Sequence, residues 1–476
     1  MNHGNQASGF FFRTEVRTEK CGQYRQAGGR SDRTTGRDYM FPDESDYTGM
    51  TAHDPSPPVL EAASGGLVTN PILNVAHQEG FDPLRLLRFI RNGRIVIMRR
   101  GNNSLGIGKG LRTKVNVNIG TSHALVSLKD ELKKAETAER FGADTLSDLS
   151  TGGDIRMIRE AVFRHTRIPI TTVPVYQTAA ERGIGHMTSR DLLETIREQA
   201  STGVSSMVLH FVNADLLECL RRQGRILGVV SKGGSITSAY MHLNSCDNPF
   251  LEMLDDIIGI LQEHDIVLSL GNTARSGCIH DVRDTAARKE MRQNAALARY
   301  VHEQGVQVII EGAGGHTSYD RIAPSIREYK RASPFPLFVA GPLPTDIAIG
   351  YDHIAGSVGA SAACAAGADY LCAITPSEHL GLPGPGQVKE GLIAFRIAAH
   401  IGDIVKLRKG APDRELSERR ADLDREGQFS LALDESRARQ LAGDQVTCSM
   451  CGDFCAIKLM KEILGDSGRS GGPKMS

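Results

Sequence analysis

TKVNVNIGTSHALVSLKDELKKAETAERFGADTLSDLS, residues 113–150, decides the fold. It holds an alternating run at Lys114–Ile119, an amphipathic segment at Leu128–Phe141, and a second short run at Asp144–Leu149. A strand, a helix long enough to cross back, and another strand make the repeating unit of a parallel sheet.

Working outward, the unit recurs. Short β-branched runs follow at Ile168–Tyr176, Ser206–Val212, Ile226–Ser231, Ile266–Leu270, Val306–Ile310, Leu337–Ala340 and Tyr370–Thr375. Helical periodicity fills most of the gaps, as at Ser189–Ala200, Phe250–Glu263 and Thr285–Gln304. The rhythm predicts an α/β chain whose residues 113–385 close into a (β/α)8 barrel of the TIM type. The two runs above and these seven are one too many, so one is a bent strand, an extra edge or no strand. A doubly wound open sheet is the other architecture the alternation allows.

The flanks differ. Residues 1–50 are rich in Arg, Gly, Thr and Asp and read as a disordered or non-native tail. Residues 51–112 read as a small mixed region with a helix at Pro83–Arg91 and a strand at Arg94–Met98. Residues 386–464 read as a C-terminal helical domain, clearest at Ala394–Leu407. The Gly/Ser/Lys-rich residues 465–476 read as a disordered tail.

Composition narrows the function. The 56 basic and 56 acidic side chains cancel, so no global positive field favours nucleic acid. No apolar run is long enough to span a membrane, and the N-terminus shows no secretory h-region. Six of the nine cysteines are scattered and three stand together at Cys448, Cys451 and Cys455. An odd count with one tight group reads as a reducing cytoplasm and a metal site, not a disulfide framework.

A barrel places its chemistry at the C-terminal ends of its strands, and here those ends are polar. They carry Asn118, Ser147 with Asp148, Tyr176, His210, Ser231-Lys232-Gly233-Gly234-Ser235, Asn272 to Arg275, Glu311 and, after a glycine run, His316. Glu378-His379 follows the last run. The Ser231–Ser235 and Asn272–Arg275 patches combine small residues, hydroxyls and cations, which suits a phosphate, although either alone reads equally as a turn. Asp148 and Glu311 are candidate proton-handling carboxylates. His316 and His379 can share a metal, and His353 is as plausible a partner by spacing.

Cys448-Ser-Met-Cys451-Gly-Asp-Phe-Cys455 has the spacing C-x2-C-x3-C. Three thiolates this close can hold a [4Fe–4S] cluster with one iron open for S-adenosylmethionine. A zinc site is the other reading, but it lacks a fourth ligand nearby. Most radical enzymes of this kind use C-x3-C-x2-C, so the order is a departure.

From Gly108 to Lys458 the chain resembles the phosphomethylpyrimidine synthase family, which rearranges aminoimidazole ribotide. The resemblance rests on Gly108–Gly120, Asp148–Gly152, Thr172–Gln177, Gly228–Ser235, Gly341–His353, Thr375–Pro383 and Cys448–Cys455. It implies an oxygen-sensitive homodimer whose cluster domain docks over the barrel mouth, with an external electron donor. It also implies that Asn118, Tyr176, His210, Ser231, Lys232, Gly233, Arg275 and Glu311 contact the ribotide. His316 and His379 match a zinc pair, and Cys448, Cys451 and Cys455 match the cluster ligands. Ser147, Asn272, Phe338, Phe211, Val212 and the glycine run 312–315 depart from the thiamine branch at positions that read as pocket-lining. Those departures favour the paralogous branch that makes 5-hydroxybenzimidazole for cobamides, with the thiamine branch as the alternative. An iron–sulfur redox sensor and a zinc-dependent hydrolase are readings from other classes.

Overall fold

The computed structural model describes residues 56–464 apart from 282–283, 409 and 444–447. The two predicted tails lie outside the described residues.

Eight parallel strands close a barrel: β3 (Lys114–Ile119), β4 (Thr145–Asp148), β5 (Ile170–Thr172), β6 (Ser206–Leu209), β7 (Val267–Leu270), β8 (Val308–Glu311), β9 (Leu337–Ala340) and β10 (Tyr370–Cys372). β10 pairs with both β9 and β3, which closes the ring. An antiparallel hairpin, β1 (Ile95–Arg100) with β2 (Asn103–Gly108), precedes it. Val96, Met98 and Ile107 of the hairpin pack with Val267, Ile309 and Tyr370 near the starts of the barrel strands, so the hairpin plugs the end opposite the mouth. Gln307 locks it there by exchanging hydrogen bonds with the backbone of Ile97 (2.8 and 3.1 Å).

Local signals set the surrounding helices. Ser127 caps Leu128–Arg140, Thr188 forms a capping box with Asp191 on Ser189–Ser201, and Asp284 caps Thr285–Glu303. The predicted helix Phe250–Glu263 is two pieces, Pro249–Glu252 and Leu254–Glu263.

Three sequence expectations change. The surplus run is Ile226–Ser231, which is a loop. The N–H groups of Ile226 and Leu227 donate to the Asp281 carboxylate (2.9 and 3.1 Å) instead of a neighbouring strand, and both side chains are exposed. The run Ile168–Tyr176 is a strand only to Thr172, because Pro174 opens a helix, Pro174–Arg182. Tyr176 therefore enters from a first helical turn. Last, the helix that predicts the C-terminal domain runs from Pro385 to Leu407, and its Val388, Leu392, Phe395 and Ala398 share the core of β3, β9 and β10. It is the eighth barrel helix, and the helices beyond it, Ala411–Ala421, Arg425–Ser430 and Glu435–Ala442, bury no side chain.

Among the described residues no helix is long and apolar enough to cross a membrane.

Candidate active site at the barrel mouth

The barrel interior is polar. Alternation along β3 and β4 turns Asn116, Asn118, Thr145 and Ser147 inward. Asn116 Oδ1 accepts from Thr145 Oγ1 and Ser147 Oγ (both 2.9 Å), and Asn116 Nδ2 donates to Asn118 Oδ1 (2.9 Å). Asn118 Nδ2 then reaches Cys372 Sγ at 3.2 Å. Burial pushes the Cys372 thiol up to about 12, so it stays a neutral thiol. Sequence reading missed Asn116 and Cys372, because an inward polar residue on a short strand looks like any other.

The same alternation turns Asp148 outward. Its carboxylate accepts from the backbone and hydroxyl of Ser150 (3.0 and 2.6 Å), and its nearest cations, Arg159 and Lys134, sit on surrounding helices. Asp148 thus fixes the turn at Ser150 and stands apart from the inward Asn116 network, where its expected proton-handling role has no partner.

Glu311, at the end of β8, does face the interior. Ser269 Oγ donates to it at 2.9 Å and the Asn272 N–H also donates. Burial dominates and pushes its carboxyl up to about 7. Phe338 lies in register beside it and stacks on Tyr370, with ring centroids 4.0 Å apart.

His210, just past β6, is enclosed. A Cβ on Gly233 would stand 2.4 Å from its Cε1, and one on Gly271 2.7 Å from its Cδ2, so only glycine at both places leaves room for the ring. Burial, with the nearby Arg275 cation, drives its pKa down to about 3, so the imidazole is neutral. Its Nε2 lies 3.0 Å from Ser231 Oγ.

Ser231 is the N-cap of the helix Lys232–Asn244, so the predicted strand-end phosphate patch is a helix N-terminus. Two of its N–H groups are engaged: Gly234 donates to Ser231 Oγ (3.2 Å), and Gly233 donates to the Tyr176 hydroxyl oxygen. Lys232 Nζ sits 5.1 Å above the Tyr176 ring. Burial raises the Tyr176 hydroxyl to about 12 and lowers the Lys232 ammonium. Arg275 is half-buried and donates to the Val230 carbonyl at 3.4 Å. Asn272 departs from expectation, because its amide nitrogen is taken by Glu290 at 2.5 Å.

His316 and His379 meet with their Nε2 atoms 3.2 Å apart, and His353 has no part in the pair. Each Nδ1 is held by a carboxylate: His316 by Asp346 (2.6 Å) and His379 by Asp352 (3.1 Å). That anchoring leaves both Nε2 lone pairs facing one point, which is unfavourable without a cation between them. Two nitrogens of a tetrahedral zinc stand about 3.3 Å apart, so the spacing fits one. The extra residue in the run 312–316 is absorbed by Ala313 at a φ of 54° and Gly315 at 79°, while bridges to Ser276 and Leu343 hold His316 in place.

Cys448 and Cys451 are exposed and Cys455 half-buried, around the short turn Gly452–Phe454. Among the described residues no set of three or more His, Cys, Asp or Glu side chains converges on a metal position. The donor set itself, three thiols within eight residues, fits an iron–sulfur cluster.

Comparison with known proteins identifies the family. Residues 58–462 match the model of the Radical SAM ThiC family. The phosphomethylpyrimidine synthase of Methanoregula boonei is 42% identical over 418 residues, covering 84% of this chain and 98% of that protein. That of Dehalococcoides mccartyi strain BAV1 is 43% identical over 425 residues, covering 86% and 98%. Phosphomethylpyrimidine synthase 2 of Methanosarcina barkeri is 42% identical over 418 residues, covering 85% and 97%. A family match over almost all described residues, with relatives this similar along nearly their whole length, has one meaning: the chain belongs to the radical SAM ThiC family of enzymes, which work with S-adenosylmethionine and a [4Fe–4S] cluster.

Proposed function

We propose that this chain is a phosphomethylpyrimidine synthase, converting 5-aminoimidazole ribotide to 4-amino-5-hydroxymethyl-2-methylpyrimidine phosphate for thiamine. The observation that carries the reading is the composition of the mouth. Neutral His210, the Ser231–Lys232 helix start, Arg275 and Glu311 surround one opening, with the His316–His379 pair also at strand ends. A phosphate suits the helix start and the two cations. A neutral imidazole and a carboxyl near neutrality suit the polar edge of an aminoimidazole.

In this reading His316 and His379 hold a zinc ion, oriented by Asp346 and Asp352. Cys448, Cys451 and Cys455 hold the cluster, which when bound supplies an electron from an external donor for cleavage of S-adenosylmethionine. Asn118, Tyr176, Gly233 and Phe338 complete the ribotide pocket. The working form is a homodimer. Ile354 and Val358 on the helix Asp352–Ala366, and Ile397, Ile401 and Val405 on its neighbour Pro385–Leu407, form exposed apolar stripes suited to a second copy.

The 5-hydroxybenzimidazole reading loses much of its basis. Phe211 and Val212 pack into cores, and Asn272 is tied to Glu290, so three of its departures do not line the pocket. Ser147 and Phe338 do face inward and keep it as the second reading. Mass spectrometry of an anaerobic reaction of reconstituted protein, ribotide, S-adenosylmethionine and a strong reductant separates the two. The pyrimidine phosphate is expected, and 5-hydroxybenzimidazole in its place would assign the other branch.

A further inference from the structure

The loop after β7 is held by ions that lie outside the barrel. Glu290, on the helix Thr285–Glu303, is buried, and its carboxylate accepts three hydrogen bonds from one short stretch. Asn272 Nδ2 donates at 2.5 Å, the Thr273 N–H at 2.7 Å and the Ala274 N–H at 2.9 Å. One turn further along that helix, Asn294 Nδ2 donates to the Gly271 carbonyl at 3.2 Å. Opposite them, the guanidinium of Arg225, only 2% exposed, donates to the carbonyls of Ala274 (2.8 Å) and Arg275 (3.3 Å).

N–H groups on one side and carbonyls on the other are thus fixed by two buried charges of opposite sign. Burying a carboxylate costs desolvation, which its three donors offset only while the loop keeps this conformation. What it gives here is geometry. The loop directs the Asn272 N–H at Glu311, seats Gly271 against His210 and launches Arg275 towards the mouth. All three targets belong to the ribotide pocket.

We propose that Glu290 is a positioning residue for ribotide binding. From behind the barrel wall it holds loop 271–275 in the conformation that presents Arg275 to the ligand and keeps the Asn272 N–H on Glu311, with Arg225 as its counterpart. This inference rests on the assignment of the mouth as a ribotide site.

Anaerobic calorimetric titration with 5-aminoimidazole ribotide tests it on wild-type protein and Glu290→Gln, with S-adenosylmethionine as a second titrant. The amide keeps the shape of the side chain but turns one acceptor into a donor facing donors. Ribotide affinity is expected to fall at least about tenfold, with the S-adenosylmethionine affinity kept. A role confined to stability would lower the melting temperature and leave the ribotide affinity of the folded protein unchanged, and that result overturns the proposal. Should Glu290→Gln not fold, Glu290→Asp, which keeps the charge but is too short for three donors, carries the same expectation. If wild-type protein itself binds no ribotide, the ribotide reading fails, and this proposal with it.

Discussion

Two side chains at the mouth hold unusual protonation states, and both states follow from enclosure. His210 has glycines against its ring and stays neutral in the folded protein, so it adds stability that is present above the ordinary imidazole value of 6.5 and is lost as the pH falls from there towards about 3. Glu311 is the opposite case, an acid raised to about 7. Folded protein therefore keeps the Glu311 proton while the unfolded chain, with an ordinary carboxyl near 4.5, has lost it. The Glu311 contribution to stability must then fall as the pH rises from about 4.5 to about 7, by about 3 kcal/mol, against the opposite contribution of His210. Chemical denaturation at pH 5 and pH 7.5 checks this: Glu311→Gln should lose less stability over that interval than wild type, and equal losses would contradict the assigned state. Gly233→Ala tests the enclosure. Its methyl group would meet the His210 ring, and a loss of about 1–3 kcal/mol is expected in a thermal melt. The residue types at this site were legible in the sequence, but their directions were not. Ser147 and Asp148 are neighbours of similar polarity, and only the strand alternation, once the register was known, turned one inward and the other out.

At the scale of elements, the strand ends are held from outside. Asn248 Nδ2 bonds the carbonyls of His210 and Val212 (2.8 and 2.7 Å), Glu131 accepts from the Gly120 N–H (2.7 Å), and Asp346 joins His316 to the Ile279 N–H (3.0 Å). Asp346→Ala should free the His316 ring and weaken binding of the proposed zinc about 10–100-fold, read by competition with a chelator. Unchanged affinity would show that the pair does not depend on its carboxylates. The helix and strand periods found most of the barrel, and failed where a loop copies a strand. Ile226–Ser231 has the composition of a strand, but its donors are used by Asp281, a partner 55 residues away that no local pattern reveals. Pro174 was the visible signal that the run before it ends early. The carboxylate supports of the histidine pair stood inside a stretch already singled out, yet nothing in their spacing gave them that role.

At the scale of the whole molecule, the cysteine turn follows His379 of the barrel mouth by about 70 residues. Cys448, Cys451 and Cys455 take no part in the barrel core, so Cys451→Ala should leave the melting temperature within about 1 °C of wild type. A large drop would mean that the turn also carries the fold. The architecture was the most legible feature, because eight repeats of one unit reinforce one another, whereas the division between barrel and C-terminal helices was obscured by a single long helix that serves the former. Whether the cysteine turn drives radical chemistry is decided by formation of 5′-deoxyadenosine from S-adenosylmethionine under anaerobic, reducing conditions, in wild type and Cys451→Ala, with ribotide present. 5′-Deoxyadenosine is expected from wild type and none above background from the variant; its absence from wild type, or equal amounts from both, would rule out a cluster held by this turn as the radical source.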